Sequence, residues 1–326
     1  MKRPIRNRVQ IAIIIFLLYI GWRFYLFVTY FQRGMGLSPP PRPASVEAFL
    51  PISALIAFRA WISTGVFDRI HPAGLAIFLA IIITSLLLKR GFCSWLCPIG
   101  AASEGLWKTG KRVFGQNFLL PRPVDLLLML PKYLILAFFL KVALIDMTGP
   151  AALGFLNGPY NKIVDARMLV FWIKPGVLTI EVTLLLIAAS IFVQNFWCRY
   201  LCPYGALLGL LSHISPLKVS RDPDVCINCG ACTRACPNRI DVDRTTRVSA
   251  LECTSCLMCI DACPVDALSL RSNPGNRVLE TRLYPAALLG LFFLIIIVAK
   301  ATGHWHTSIT TEEYARLIPI MHMFSH

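Results

Sequence analysis

The sequence predicts an α-helical integral membrane protein that carries a small α+β domain in its C-terminal third. The chain has 326 residues, of which 56% are hydrophobic, and its mean hydropathy is +0.64. Such a composition is too apolar for an ordinary soluble protein and is typical of a membrane protein. The α+β domain is predicted from eight of the twelve cysteines, which follow one another in two tandem motifs.

Five apolar segments are long enough to cross about 30 Å of hydrocarbon at about 1.5 Å per residue. A sixth apolar stretch, at about 45–64, contains Glu47, Pro51 and Arg59, and we interpret it as a re-entrant or interfacial element. The stretch that begins at Ile11 is too long for a signal-peptide core, so we expect a retained anchor. The five predicted crossings are 10–31, 72–89, 128–147, 176–196 and 283–300.

Five crossings would place the N-terminus, the loop 89–132 and the region 198–282 on one side of the membrane. The loop 89–132 contains seven basic and two acidic residues, which the positive-inside rule assigns to the cytoplasm. We therefore expect a bacterial inner-membrane protein with a periplasmic C-terminal tail, 301–326. The chain has a net charge of +15, and we expect its basic side chains to contact the membrane surface. No nucleic-acid partner is expected.

Eight cysteines form two runs of the pattern C-x2-C-x2-C-x3-C-P, which is the bacterial 2×[4Fe-4S] ferredoxin signature. In this arrangement three thiolates of each run bind one cluster and the fourth binds the other cluster. A disulfide framework or zinc knuckles would use other spacings and suit smaller secreted or zinc-binding domains. The predicted ligands are Cys226, Cys229, Cys232 and Cys263 for cluster 1, and Cys253, Cys256, Cys259 and Cys236 for cluster 2.

The other four cysteines form two copies of the motif C-x3-C-P, 105 residues apart, at 93–98 and 198–203. Both copies also share an aromatic residue before the first cysteine and Gly-Ala after the proline. We interpret them as a parallel internal repeat of the membrane domain. The predicted domains are then the membrane domain 1–216, the ferredoxin domain 217–280, the last crossing 281–300 and the tail 301–326.

Cysteines four apart lie on one helical face, so each C-x3-C-P pair can present two thiolates together. Two pairs on one side of the membrane would supply a third [4Fe-4S] cluster or a comparable metal centre. Two alternatives are cysteines that only pack at the helix ends, and a dithiol redox pair. The candidate ligands of this third centre are Cys93, Cys97, Cys198 and Cys202.

These motifs resemble those of the NapH-like membrane polyferredoxins, the ferredoxin-type membrane components of quinol dehydrogenases. The resemblance covers about 72–300 and is most specific at the twelve cysteines. It implies electron transfer between the quinone pool and a partner redox protein, either a periplasmic cytochrome or reductase or a cytosolic ferredoxin-type donor. The rival hypothesis is a protein that assembles, senses or reduces metal for another respiratory complex.

The sequence contains no paired catalytic carboxylates, nucleophile triad or P-loop, so no catalytic residue is predicted. Turnover beyond electron transfer would belong to partner subunits. For a quinone pocket near the C-x3-C-P pairs we consider Trp95, Trp197, Tyr200 and Tyr204 as wall residues. Aromatic residues at this depth more often form an interfacial belt.

Overall fold

The structure is a computed structural model that describes residues 3–34, 38–275 and 277–324. Within those ranges the chain is mostly helical. The parts of the predicted membrane domain at 1–2 and 35–37, and of the tail at 325–326, lie outside the described residues. Helices of ten or more residues are Arg3–Arg33, Pro51–Thr64, Pro72–Leu88, Pro98–Phe114, Arg122–Leu140, Val164–Ile173, Val177–Phe192, Pro203–Ser212 and Tyr284–Ala301.

Short helical segments connect these helices. Proline begins one of them, Pro159–Lys162, where it is tolerated because the first helical position needs no N–H donor. The other short α-helices are Phe92–Trp95, Gly149–Asn157, Ala231–Arg234, Met258–Asp261 and Thr311–Leu317. The 3-10 segments are Ala44–Phe49, Val242–Arg244 and Met321–Met323, and the π-helical segments are Lys141–Asp146 and Trp197–Leu201.

The predicted helical membrane fold is confirmed, although the number of crossings is approximate. Three described helices are long and apolar enough to span a bilayer: Ile5–Arg33, Arg122–Asp146 and Tyr284–Ala301. A fourth span results if Val164–Ile173 and Val177–Phe192, which are bent by 76°, are counted as one. The bend falls at Lys174-Pro175-Gly176, where proline removes a helical donor and restricts the residue before it.

Two further apolar segments form helices that are shorter than these spans. The predicted crossing 72–89 forms the 17-residue helix Pro72–Leu88. The stretch 45–64 forms a 3-10 turn followed by the 14-residue helix Pro51–Thr64. Fourteen residues extend only about 21 Å at about 1.5 Å each, which falls short of the hydrocarbon core. Its re-entrant or interfacial placement stays a prediction.

The chain forms two compact units. The first comprises Met1–Ile14, Ile81–Leu136 and Val182–Phe292, and it contains all twelve cysteines. The second comprises Ile15–Ala80, Ala137–Glu181 and Phe293–His326. All of the candidate iron–sulfur chemistry therefore lies in the first unit.

The first unit contains the small α+β domain that the fold class predicts. Its strands are β1 (Leu217–Arg221), β2 (Leu268–Ser272) and β3 (Val278–Leu279). They form an antiparallel sheet in the order β1-β2-β3, with Val219 paired to Leu270. Both of those side chains are buried, which fixes the register because a one-residue shift would expose them. The two cysteine runs lie between β1 and β2 along the chain.

The second unit has a core of aromatic and branched side chains. Phe27 packs edge-on against Tyr314, with ring centroids 5.2 Å apart. Tyr314 belongs to helix Thr311–Leu317, which begins with a capping box between Thr310 and Glu313. The C-terminal tail, as far as it is described, is thus packed into this core. Each large apolar side chain buried in this way contributes about 1.5–3 kcal/mol.

A buried ionic cluster lies in the same unit. Two nitrogens of Arg42, Nε and Nη2, donate to Asp165 Oδ2 at 2.9 and 2.6 Å, and its Nη1 donates to Glu47 Oε1 at 2.7 Å. His71 Nδ1 lies 3.5 Å from the same Glu47 oxygen, and His71 Nε2 lies 2.6 Å from the carbonyl oxygen of Asn161. Burial alone would lower the pKa of His71, but the hydrogen bond and charge of Glu47, with the charge of Asp165, raise it.

We expect the substitution His71→Gln to destabilise the protein most at low pH. A folded pKa above the unfolded value stabilises the protein fully below about pH 6.5, and this contribution disappears as pH rises through the folded pKa. The loss should be on the order of 1–3 kcal/mol at pH 6, as for a buried hydrogen bond to a charged group, and smaller at pH 9. Thermal unfolding in detergent across this range measures it.

The matched control is His213→Gln, because the His213 side chain is exposed and lies in the first unit. This variant should follow the wild-type melting temperature at every pH. A pH-independent loss in His71→Gln would show that the imidazole acts only by packing, and would contradict the ionic interpretation.

Candidate iron–sulfur centres

The first four-cysteine pocket lies on the outer part of the ferredoxin domain. Arg221 and Asp243 also line it. A hydrogen bond from Arg221 lowers the pKa of Cys226, and Cys229 is exposed. The site therefore faces solvent. Its four cysteines are Cys226, Cys229, Cys232 and Cys263.

The second pocket gathers four cysteines, none of which is exposed. Burial raises the pKa of Cys236 to about 12 and raises that of Cys259 well above its ordinary value. Thiols of this kind bind iron only as thiolates, so loading the site must release protons. Its four cysteines are Cys236, Cys253, Cys256 and Cys259. Both pockets thus gather the same sets of four that the motif assigns to clusters 1 and 2.

The backbone curls around both pockets in the same way. Each cysteine run places residues in the left-handed region at three equivalent positions: between its first two cysteines, directly after the second, and three residues after the last. A left-handed residue reverses the local direction of the chain, which turns the successive sulfurs of a run toward the same pocket. The residues are Asn228, Gly230 and Arg239 in the first run and Ser255, Leu257 and Asp266 in the second.

The four C-x3-C-P cysteines also lie close together. Burial, followed by the charges of the other three cysteines, raises the pKa of Cys198 well above its ordinary value. Burial and the charge of Cys93 raise that of Cys97 to about 12. Burial raises the pKa of Cys202 as well. The two pairs, which are 105 residues apart in sequence, therefore form one group of four thiols, none of which is exposed.

Contrary to the prediction from sequence, the two cysteines of each C-x3-C-P motif do not lie on one face of a continuous helix. Cys97 and Cys202 have extended backbone, with ψ of 120° and 105°, and each caps the helix that its following proline begins. The helix ends at the second cysteine because the proline ring clashes with the residue before it and disfavours the helical conformation there. Pro98 and Pro203 therefore redirect each second sulfur.

The shared Gly-Ala of the two motifs has a structural role. The Gly205 N–H donates to Cys202 Sγ at 3.2 Å. A Cβ at Gly100 would lie 2.1 Å from the carbonyl oxygen of Cys93, which no side chain could occupy. Because glycine has no side chain, the helix that follows the first motif can start in close contact with the backbone of the cysteine loop.

These sites fit iron–sulfur clusters rather than a single metal ion. All of the candidate ligands are thiols, and the Gly205 N–H donates to the sulfur of Cys202, as is common around such clusters. Within residues 3–34, 38–275 and 277–324, no three His, Cys, Asp or Glu side chains converge closely enough to hold one ion. In a four-iron cluster each iron takes its own thiolate, so the sulfurs surround the cluster without meeting at one point.

The loop of cluster 2 packs directly on the first C-x3-C-P segment. Ser94 Oγ donates to the carbonyl oxygen of Thr254 at 2.7 Å, and Trp95 Nε1 donates to that of Ser255 at 3.1 Å. Ser94 follows Cys93, and Thr254 follows Cys253. Two candidate centres are therefore joined by hydrogen bonds between residues adjacent to their ligands.

An ionic network missed in the sequence surrounds these loops. Arg90 Nε lies 3.4 Å from Cys93 Sγ, and Arg90 Nη1 lies 3.5 Å from Glu252 Oε2. Burial would lower the pKa of Arg90, but the charges of Cys93 and Glu252 raise it above its ordinary value. Lys132 Nζ donates to Glu252 Oε1 at 2.6 Å. No sequence spacing relates Arg90 to Glu252, because they are 162 residues apart and meet only in the fold.

A second group of ionic contacts lies beside the other C-x3-C-P segment, at 198–203. Arg199 makes two hydrogen bonds to Asp125, at 2.9 and 2.5 Å, and also donates to the carbonyl oxygen of Asn238. The Tyr200 hydroxyl donates to Asp125 at 2.5 Å. Tyr200 and Trp95 are buried and hydrogen-bonded within these loops, and their place in the wall of a quinone pocket stays a prediction.

These observations define the class of protein: a membrane protein with ferredoxin-type iron–sulfur sites. Family models agree, since a 4Fe-4S binding domain matches residues 70–117 and 176–221, and a 4Fe-4S dicluster domain matches 218–264. The chain belongs to the NapH-like ferredoxin-type electron transport proteins, as its similarity to YccM of Escherichia coli (strain K12) shows. That relative, which bears the name of an electron transport protein, is 39% identical over 98% of this chain and 91% of its own length.

Other relatives carry ferredoxin-type names. NapH of Escherichia coli (strain K12) is 28% identical over 62% of this chain and 70% of its own length. MauN of Paracoccus denitrificans (strain Pd 1222), named a methylamine utilization ferredoxin-type protein, is 32% identical over 45% of this chain and 48% of its own. No solved structure matches the chain.

Proposed function

We propose that this protein is the membrane-bound subunit that passes electrons between the quinone pool and a partner redox protein through three [4Fe-4S] clusters. The ferredoxin pockets would hold clusters 1 and 2, and the four C-x3-C-P cysteines would hold the third. Each cluster, when bound, carries one electron at a potential that its surroundings set. The protein holds the clusters near one another and tunes their potentials.

The order of the three sites supports a path through the protein. The cluster 1 pocket contains the exposed Cys229, so a soluble partner can reach it. The cluster 2 pocket has no exposed cysteine, and its ligands come from the same two cysteine runs as those of the first pocket. Ser94 and Trp95, which belong to the first C-x3-C-P segment, contact the loop of cluster 2. Cluster 2 is thus connected to the proposed third centre. These two hydrogen bonds are the single observation that carries the proposal.

The proposed orientation places the N-terminus and the ferredoxin domain in the cytoplasm of a bacterial cell, with residues 301–326 in the periplasm. The seven basic residues of 89–132 support this through the positive-inside rule. The partner at cluster 1 would then be a cytosolic ferredoxin-type protein, and a periplasmic cytochrome or reductase would take part through other subunits.

Reduction of the clusters by a quinol tests this function. The full-length protein is reconstituted in lipid, and a short-chain quinol is added without oxygen. We expect the visible absorbance of the clusters to bleach and paramagnetic signals of reduced clusters to appear at a rate that supports turnover. If dithionite or reduced ferredoxin produces these signals and quinols do not, the proposal is wrong and a role in assembly, sensing or metal reduction is favoured.

A further inference from the structure

A cavity of about 390 Å³ lies in the first unit, where helix Arg122–Leu140 meets the ferredoxin domain. Its volume is in the lower part of the range of about 300 to 1,000 Å³ that is usual for small-molecule sites. Leu126 lies on this helix and lines the cavity. Its side chain is 57% exposed, and the helix is part of a candidate membrane span. The cavity is therefore accessible to an apolar molecule that comes along this helix.

The cavity walls contain the chain neighbours of ligands from two centres. Arg199 follows Cys198 of the proposed third centre, and Glu252 precedes Cys253 of cluster 2. Asn238 lies two residues after Cys236, which is also assigned to cluster 2. A molecule in this cavity would contact the two loops that hold the inner centres.

The charges of the cavity are already paired. Arg199 binds Asp125, and Glu252 binds Lys132 at 2.6 Å. At the rim, Arg122 Nη1 donates to Asp241 at 2.7 Å. An anionic ligand would have to compete with these carboxylates for each arginine, so the walls favour a neutral ligand.

The remaining lining is a mixture that suits a polar ring on an apolar chain. Met129, Ile240 and Val248 supply apolar wall, and Thr245 and Ser249 add hydroxyl-bearing side chains to the same lining. The Thr245 hydroxyl contacts the carbonyl oxygen of Val242 at 3.5 Å, a long hydrogen bond that a ring oxygen could replace. Ligand sites of this type combine an apolar lining with a few polar groups that orient the ligand.

We propose that this cavity binds the ring of a quinone or quinol, with its isoprenoid chain extending along helix Arg122–Leu140. The proposal rests on the proposed function, because exchange with the quinone pool is what requires such a site. It differs from the sequence expectation, which put the aromatic residues of the C-x3-C-P loops around the ring. None of those four aromatic residues lines this cavity.

Photolabelling locates the site in the full-length protein. A short-chain azidoquinone is irradiated with the purified protein in lipid nanodiscs, and the labelled peptides are identified by mass spectrometry. We expect label within 122–129 or 238–252, and its loss when excess unlabelled short-chain quinone is added. Label that falls only outside these two segments would overturn the assignment.

Two tryptophan variants provide a second, independent measurement. Met129→Trp would fill the cavity, and we expect it to weaken equilibrium binding of a short-chain quinone by about tenfold or more. Leu127→Trp is the control, because Leu127 is 64% exposed on the same helix and does not line the cavity. Equal binding by the wild type and both variants would overturn the proposal. If Met129→Trp fails to fold, as iron content and helicity reveal, the label map of the wild type decides.

The failure of this site is distinguishable from the failure of the proposed function. A wild-type protein whose clusters are reduced by quinol, but whose cavity takes no label, retains the function and loses this site. A protein whose cavity is labelled, but whose clusters quinol does not reduce, retains the site and loses the function.

Discussion

Replacing Cys198 by serine should remove one cluster of the three and stop electron exchange with quinol. Cys198 is one of the four thiols that we assign to the third centre, and a serine hydroxyl is a poor substitute for a thiolate ligand. Iron should fall from about twelve to about eight atoms per chain. Dithionite should still reduce the two ferredoxin clusters, whereas a quinol should reduce them at a small fraction of the wild-type rate.

The reciprocal control is Cys229→Ser, which makes the same chemical change in the solvent-facing pocket. It should lose the same amount of iron, but quinol should still reduce the remaining clusters. Only exchange with a soluble partner should fail. The two variants thus separate loss of iron from loss of a particular step. An iron content near eight in the wild type, unchanged in Cys198→Ser, would contradict the third cluster and return its cysteines to a packing role.

The ferredoxin domain could be predicted in detail because its information is local. Motif spacing alone gives the two sets of four cysteines that the structure places around two pockets. Gly230 is a visible signal for a left-handed residue, since glycine adopts this conformation without strain. Its counterpart in the second run is Leu257, and nothing in a leucine indicates a φ of 62°. Tertiary packing imposes that conformation, as the nearly complete burial of Leu257 indicates.

The membrane part was less predictable, because hydropathy reports apolarity but does not report where a helix breaks. The segment 176–196 is apolar enough for a crossing, yet Pro175 and Gly176 separate it from the preceding helix at a bend of 76°. The ionic contacts around the cysteine loops were also missed. Arg90, Lys132 and Glu252 have no relation in the sequence, and only the fold brings them together, with Arg90 and Lys132 buried.

The buried Arg90 should raise the reduction potential of the third centre, so Arg90→Gln should lower it. A positive charge stabilises the reduced form of a cluster, which carries one more negative charge than the oxidised form. Arg90 Nε lies 3.4 Å from Cys93 Sγ, and Gly205 leaves room for its Nη2 beside Cys202, since a Cβ there would lie 2.8 Å from that nitrogen. Gly205 therefore permits the guanidinium to reach both pairs of thiolates.

The size of the shift follows from two opposing charges. Unit charges about 4 Å apart interact by about 4 kcal/mol at an effective dielectric constant of 20. Glu252, 3.5 Å from Arg90, carries the opposite charge and cancels part of this interaction. Burial would raise the pKa of Glu252, but Arg90 and Lys132 lower it below its ordinary value, so its carboxylate is charged at neutral pH. A remaining effect of about 1.4 kcal/mol corresponds to a fall of about 60 mV for one electron.

A potentiometric titration followed by paramagnetic resonance measures this shift without relying on turnover. Arg90→Lys keeps the charge but loses the planar group that contacts Cys93, so its shift should be smaller than that of Arg90→Gln. Arg112→Gln makes the same change at an exposed position of helix Pro98–Phe114 and should leave the potential unchanged. A wild-type potential in Arg90→Gln, with the third cluster still bound, would mean that the guanidinium holds the loops together without tuning the cluster.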